Sequence, residues 1–111
     1  MKTEIEKIQV IIATEWLRLE SESSEAYSLY HKHNNMRNNL RSPSREVVEQ
    51  NRIDNKLLYK NFEMKLEAKN QYNPTALMIL LPNSNWVVDS YGSSMVNDDI
   101  KERALEIISN K

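Results

Sequence analysis

Residues 42–69 spread their apolar side chains too widely for one neighbouring element to cover. Successive residues of an α-helix are rotated by about 100°, so each apolar residue can be assigned to a side. One side carries Val47, Ile53, Leu57, Leu58, Met64 and Ala68, and the adjoining side carries Val48, Tyr59, Phe62 and Leu66. An ordinary surface helix shows one narrower stripe. The pattern therefore predicts a helix packed on two sides, either by two other parts of the chain or by one part and a second subunit.

This second helix is predicted over residues 43–72. Ser42 is suited to cap the free N–H groups, and Pro43 suits the first turn because its φ is fixed and its missing N–H is no loss there. Asn73 precedes Pro74, and the residue before a proline is pushed out of the helical conformation. We therefore expect the helix to end before Pro74.

A first helix is predicted over residues 3–41. Thr3 and Glu6 have the spacing of a capping box, in which each side chain accepts a hydrogen bond from the other residue's N–H. Apolar or small residues then recur at spacings of three and four, at Ile5, Ile8, Ile12, Trp16, Leu19, Ser23, Ala26 and Tyr30. The asparagines of residues 34–39 favour fraying, whereas Leu40 would continue the apolar face. In either case the connection is short, which predicts an antiparallel αα-hairpin.

Residues 75–91 are predicted to form a β-hairpin. An apolar run is followed by a turn-forming stretch that contains Pro82, and then by three residues that favour strands, Trp86, Val87 and Val88. The competing interpretation is a short helix that begins at Pro74, because Ala, Leu and Met are strong helix formers. Periodicity does not separate the two interpretations over so few residues.

A third helix is predicted over residues 97–110. Asn97 and the two aspartates that follow it would cap the helix, and its narrow apolar stripe consists of Ile100, Ala104, Ile107 and Ile108. The chain is therefore predicted to form a single mainly α (α+β) domain over residues 1–111. This domain would be a long antiparallel αα-hairpin followed by a short β-hairpin and a C-terminal helix, with an all-α fold as the alternative.

The composition excludes several kinds of chemistry. The chain has no cysteine, which excludes disulfides, thiolate catalysis and cysteine-based zinc sites. The chain has only one glycine, Gly92, whereas a glycine-rich phosphate loop needs several. His31 and His33 would point to roughly opposite sides of a helix, so they would not share a metal ion there. We therefore expect a protein that is not an enzyme and that uses no cofactor and no metal.

The sequence also predicts a cytoplasmic protein that does not enter a membrane. Its longest apolar run, residues 76–81, is far too short to cross a bilayer. The N-terminal residues are acidic where a signal peptide would be basic and then apolar. The abundance of Asn, Lys and Ile is typical of low-GC genes, as in many bacteria and their phages.

Basic residues are concentrated where the first two helices would be joined. No acidic residue occurs between Glu25 and Glu46. This span contains the candidate phosphate-binding or partner-binding residues Lys32, Arg37, Asn38, Arg41 and Arg45. Such a tip could bind a nucleic acid, a nucleotide or an acidic protein surface. The net charge of −1 argues against a dedicated nucleic-acid binder.

The function that the sequence favours is protein–protein interaction, by a small adaptor or inhibitor with a coiled-coil-like hairpin. Binding of nucleic acid or nucleotide by the basic tip is the alternative. Two helices of about 28 to 38 residues would be about 40 to 55 Å long, and the rest of the chain is too short to cover both. We therefore expect a homodimer. The predicted interface consists of Ile5, Ile8, Ile12, Trp16, Leu19, Phe62 and Leu66.

Overall fold

The computed structural model describes residues 2–83 and 94–110, and this part of the chain is entirely α-helical apart from its connections. Helix α1 spans Glu4–Asn38, α2 spans Arg45–Leu80 and α3 spans Ser94–Ser109. The predicted helical hairpin and C-terminal helix are confirmed. The described residues contain no β-strand, which agrees with the all-α alternative. None of the described helices is long and apolar enough to cross a membrane.

The start of α1 is the predicted capping box. The Thr3 hydroxyl accepts a hydrogen bond from the Glu6 N–H at 3.1 Å, and the Glu6 carboxylate accepts one from the Thr3 N–H at 3.4 Å. The helix ends at Asn38 and not at residue 41, because Asn39 leaves the helical conformation and its N–H closes the last turn onto Met36 and Arg37.

The start of α2 differs from the prediction by two residues. Ser44, and not Ser42, is the N-cap, and its hydroxyl accepts a hydrogen bond from the Val47 N–H at 3.3 Å. Pro43 therefore lies before the helix. Ser42 has a φ of 43°, in the left-handed region that few residues other than glycine adopt, and the chain reverses direction there.

The prediction that α2 ends before Pro74, and that a β-strand begins at residue 75, is wrong. The helix continues through Pro74 to Leu80. A proline inside a helix removes one hydrogen bond and costs about 3 kcal/mol. Burial of Ala76, Leu77 and Leu80 on the far side of Pro74 offsets this cost. The second predicted strand, residues 86–88, lies outside the described residues.

Helix α3 begins at Ser94, three residues before the predicted start. Asn97 therefore lies within the helix and does not cap it. The predicted apolar stripe is present, because Ile100, Ala104 and Ile107 are buried. The adjacent Ile108 is partly buried against the same core.

Contacts at four levels place α1 and α2 side by side and antiparallel. They join Gln9 to Ile79, Trp16 to Asn73, Glu20 to Lys69 and His33 to Asn55. As the residue number rises along α1, it falls by nearly the same amount along α2. The register is therefore constant from the ends of the hairpin to the region near its turn.

The core lies where all three helices meet. Its buried members are Ala13, Trp16, Ala76, Leu77, Leu80, Ile100, Ala104 and Ile107. A hydrogen-bonded chain crosses this core. The Trp16 indole N–H donates to the Asn73 side-chain oxygen at 2.8 Å, and the Asn73 amide donates to the Asn97 side-chain oxygen at 3.0 Å. Since Trp16 and Asn73 are both 0% exposed, each depends on the other to satisfy its polar group.

Replacement of Asn73 tests this dependence. Asn73→Leu keeps a similar volume but leaves the Trp16 N–H buried without an acceptor, so we expect a loss of about 1 to 3 kcal/mol in the free energy of unfolding. Urea denaturation at a fixed protein concentration measures the loss. The control is Asn61→Leu, at an exposed position of the same helix, which should change the free energy of unfolding by less than about 0.5 kcal/mol. Equal stability of the two variants would contradict the role assigned to Asn73.

Candidate interaction surface

The hairpin has two parts that differ in burial. The part that includes α3, here called the base, consists of residues 4–26, 69–80 and 94–109, and it holds every buried residue of the described chain. The remainder of the hairpin, here called the arm, consists of residues 27–68. No residue of the arm is buried. Within residues 2–83 and 94–110, the arm is therefore a pair of helices without a third layer.

Two ion pairs between α1 and α2 mark the border of base and arm. The Lys69 ammonium lies 2.8 Å from the Glu20 carboxylate, and Lys69 is only 6% exposed. The Lys65 ammonium lies 3.7 Å from the Glu22 carboxylate, nearer the surface. The burial of Lys69 was not predicted from the sequence. The signal was its position, since it continues the spacing of three and four along the face that Asn73 and Ala76 share.

The line of contact between the two helices of the arm is largely polar. The half-buried residues that form it are Tyr30, His33, Asn34 and Arg37 on α1, and Asn51, Asp54, Asn55, Leu58, Phe62, Lys65 and Leu66 on α2. The Asn55 amide nitrogen lies 3.4 Å from Nδ1 of His33. Burial of apolar surface is the main favourable term in helix association. The contact line therefore stabilises the arm less than the apolar core stabilises the base.

A cluster of aromatic rings contributes apolar contact within the arm. Tyr27 stacks on His31 with ring centroids 5.8 Å apart, and it meets Phe62 edge-on at 5.3 Å. Tyr30 and Tyr59 are 5.2 Å apart, and Tyr59 also approaches Phe62 at 6.5 Å. Such pairs add about 0.5 to 1.5 kcal/mol each beyond their burial. This cluster joins the two helices of the arm next to the base.

The face of α2 that points away from α1 carries an exposed apolar stripe. Ile53, Leu57 and Met64 lie within an arc of about 40° on the helix surface, and they are rotated by about 140° from Leu58 and Phe62, which face α1. Leu57 is 62% exposed and Met64 is 60% exposed. The wide apolar arc predicted for this helix is thus covered by α1 on one side only. The uncovered side is an exposed apolar surface, and such surfaces mark interaction sites.

The residues predicted to form an oligomer interface do not share one surface. Trp16 and Leu19 are buried within the base, so they are not available to a partner in this conformation. Ile12 packs partly against the core, and Phe62 and Leu66 are half-buried on the side of α2 that faces α1. The exposed members of the set, Ile5 and Ile8, form a second apolar surface with Ile11. We call this surface the N-terminal patch.

The predicted basic tip lies at the end of the arm. Lys32, Asn38, Arg41 and Arg45 are exposed there, and Arg37 is half-buried. None of the four basic residues forms an ion pair within the described part of the chain. Arg37 lies in the last turn of α1, where a positive charge is favourable, whereas Arg45 is the first residue of α2, where it is not.

Some charged side chains on the exposed side of α2 form ion pairs with described residues, and others do not. Arg52 donates hydrogen bonds to Glu49, which lowers the pKa of the Glu49 carboxyl below its usual value. Lys56 and Glu63, further along the helix, are exposed and form no ion pair with any described residue. They flank the apolar stripe on one side.

The described residues contain no group of three or more His, Asp or Glu side chains placed to hold a metal ion. An open hollow of about 460 Å³ lies beside α3, between Lys101 and the side chains of Leu17, Ser21 and Glu25 on α1.

Comparison with protein-family models, with curated proteins and with solved structures finds no match for this chain.

Three substitutions that make the same charge change test the electrostatics of the tip. Arg37→Glu reverses a favourable charge at the C-terminal end of α1 and should lower the free energy of unfolding by about 0.5 to 1.5 kcal/mol. Arg45→Glu places an acid at the N-terminal end of α2 and should raise it by a similar amount. Arg41→Glu lies in the connection and should leave it unchanged within about 0.5 kcal/mol. Thermal and urea unfolding measure all three, and equal effects would contradict this assignment of the charges to helix ends.

Proposed function

We propose that this chain is a non-enzymatic protein–protein interaction module, an adaptor or an inhibitor, that binds through its arm and forms a homodimer. The observation that carries the proposal is the contrast between base and arm. The arm exposes large apolar side chains on both helices, among them Leu29, Met36, Leu57 and Met64, and buries none. A helix pair with so little buried surface gains stability when another protein covers it.

A second copy of the chain fits this surface for a physical reason. A two-fold symmetric contact uses the same face twice, so one apolar stripe covers another without a dedicated partner surface. The molecule is elongated, 62 Å in its longest dimension, and the arm and the base form its two ends. Two arms can therefore lie side by side while the two bases remain apart.

The test compares the two exposed apolar surfaces. Light scattering across about a hundredfold range of protein concentration should give a mass of two chains for the unmodified protein. Leu57→Glu with Met64→Glu should reduce the mass to one chain, 13.1 kDa, because charge on the stripe opposes burial. The matched control is Ile11→Glu with Leu105→Glu, which changes residues of similar exposure, 65% and 48%, outside the arm. Circular dichroism checks that each variant keeps its helices.

Each other result has a separate meaning. Dissociation of the control pair alone would place the interface on the base and overturn the proposal for the arm. A mass of one chain for the unmodified protein at every concentration would overturn the homodimer.

A second candidate function is nucleic-acid binding by the basic tip. Lys32, Arg41 and Arg45 favour it, because they are exposed and form no ion pair with any described residue. Fluorescence anisotropy with a labelled DNA duplex tests it, since binding by phosphate contacts weakens steeply as salt rises, whereas a largely apolar protein interface does not. No binding at low salt would exclude this function.

A further inference from the structure

A line of residues at heptad spacing, three apolar and three polar, lies on the face of α2 that α1 leaves uncovered. Residues spaced alternately by three and four positions occupy this face, and all of them are exposed: Gln50, Ile53, Leu57, Lys60, Met64 and Glu67. Such a spacing keeps one line of side chains directed at a neighbouring helix over several turns. The opposite face of α2, with Leu58 and Phe62, already packs on α1. The helix is thus patterned for two neighbours.

We propose that a second copy of the chain docks on this face with its α2 antiparallel, so that residues 50–67 of the two copies overlap. This inference rests on the proposed homodimer and specifies its interface. In this register Ile53 of each copy packs on Met64 of the other, and Leu57 packs on the aliphatic stem of Lys60. Gln50 meets Glu67 at each end of the overlap, as donor to acceptor. Two-fold symmetry forms each of these contacts twice.

The charges beside the stripe support the antiparallel orientation. In an antiparallel coiled coil, the residues that flank the apolar line meet their counterparts in the other helix. Here Lys56 of one copy meets Glu63 of the other, and the symmetric contact repeats the pair. Neither residue has an ion-pair partner among the described residues of its own chain. On the other flank the exposed Val47 meets Ala68, which adds apolar contact.

The parallel arrangement has the opposite electrostatics. With the two α2 helices in parallel register, Lys60 would face Lys60 within the apolar line. Lys56 of one helix would meet Asn61 of the other and would have no acidic partner there. Like charges at such positions oppose association. The distribution of charge along α2 therefore favours one of the two orientations of a second copy.

Charge reversal tests the orientation. Lys56→Glu creates two Glu–Glu contacts in the proposed dimer, and Glu63→Lys creates two Lys–Lys contacts. Each should raise the dimer Kd about tenfold or more, measured by analytical ultracentrifugation. The double variant Lys56→Glu with Glu63→Lys re-forms both pairs in reversed sense and should restore the Kd to within about threefold of the unmodified value. Glu102→Lys, at an exposed position of α3, is the control for net charge and should leave the Kd unchanged.

A mixing experiment adds a sharper readout. In a mixed dimer of Lys56→Glu and Glu63→Lys chains, both contacts join opposite charges. A tagged Lys56→Glu chain should therefore retain an untagged Glu63→Lys chain, and it should not retain an untagged copy of itself. Retention of both chains equally would overturn the register.

The outcomes separate this inference from the proposal on which it rests. If the unmodified protein is a dimer and the charge reversals leave its Kd unchanged, the antiparallel register is overturned and the homodimer stands. An equal loss with Glu102→Lys would assign the effect to net charge and would also overturn the register. An unmodified protein that remains a single chain throughout would overturn the homodimer itself.

Discussion

The length of α3 limits how much of this molecule has a core. It has 16 residues, whereas α1 and α2 have 35 and 36. At a rise of about 1.5 Å per residue, it spans about 24 Å beside a hairpin of more than about 50 Å. Long helices in proteins depend on tertiary packing of an apolar face more than on intrinsic propensity. Among the described residues, the part of the hairpin that α3 does not reach has its two helices packed only on each other.

Buried polar groups give the base a unique register. Asn73 is 0% exposed and Lys69 is 6% exposed, and burial of such groups is costly unless each has a partner. Trp16 and Glu20 supply those partners from α1. If α2 slipped by one turn along α1, both polar groups would remain buried but would lose these contacts. The alternative registers are therefore penalised by desolvation, while the apolar contacts alone would distinguish them weakly.

The elements could be predicted from the sequence more fully than their ends. The capping box at Thr3 is contained in four consecutive residues, so a local rule finds it. The extension of α2 beyond Pro74 depends on burial of Leu80 against the other helices, which no local rule contains. The same limit applies to the candidate surface. Periodicity shows that α2 has more apolar residues than one neighbour can cover, but only the register of the hairpin decides that Phe62 faces α1 and Leu57 faces outward.

A single unbroken helix here has two environments along its length. Residues 13–26 of α1 include the buried side chains of the base, and residues 27–38 of the same helix include none. Segments of a native protein open locally with free energies that follow their burial. In a single chain, with no second copy on the arm, the backbone amides of α1 should thus exchange hydrogen with solvent slowly between residues 13 and 26 and rapidly between residues 27 and 38, and α2 should show the reverse order. We therefore expect the hairpin to unfold as two cooperative units with a boundary near Ala26 and Lys69, although no loop separates them.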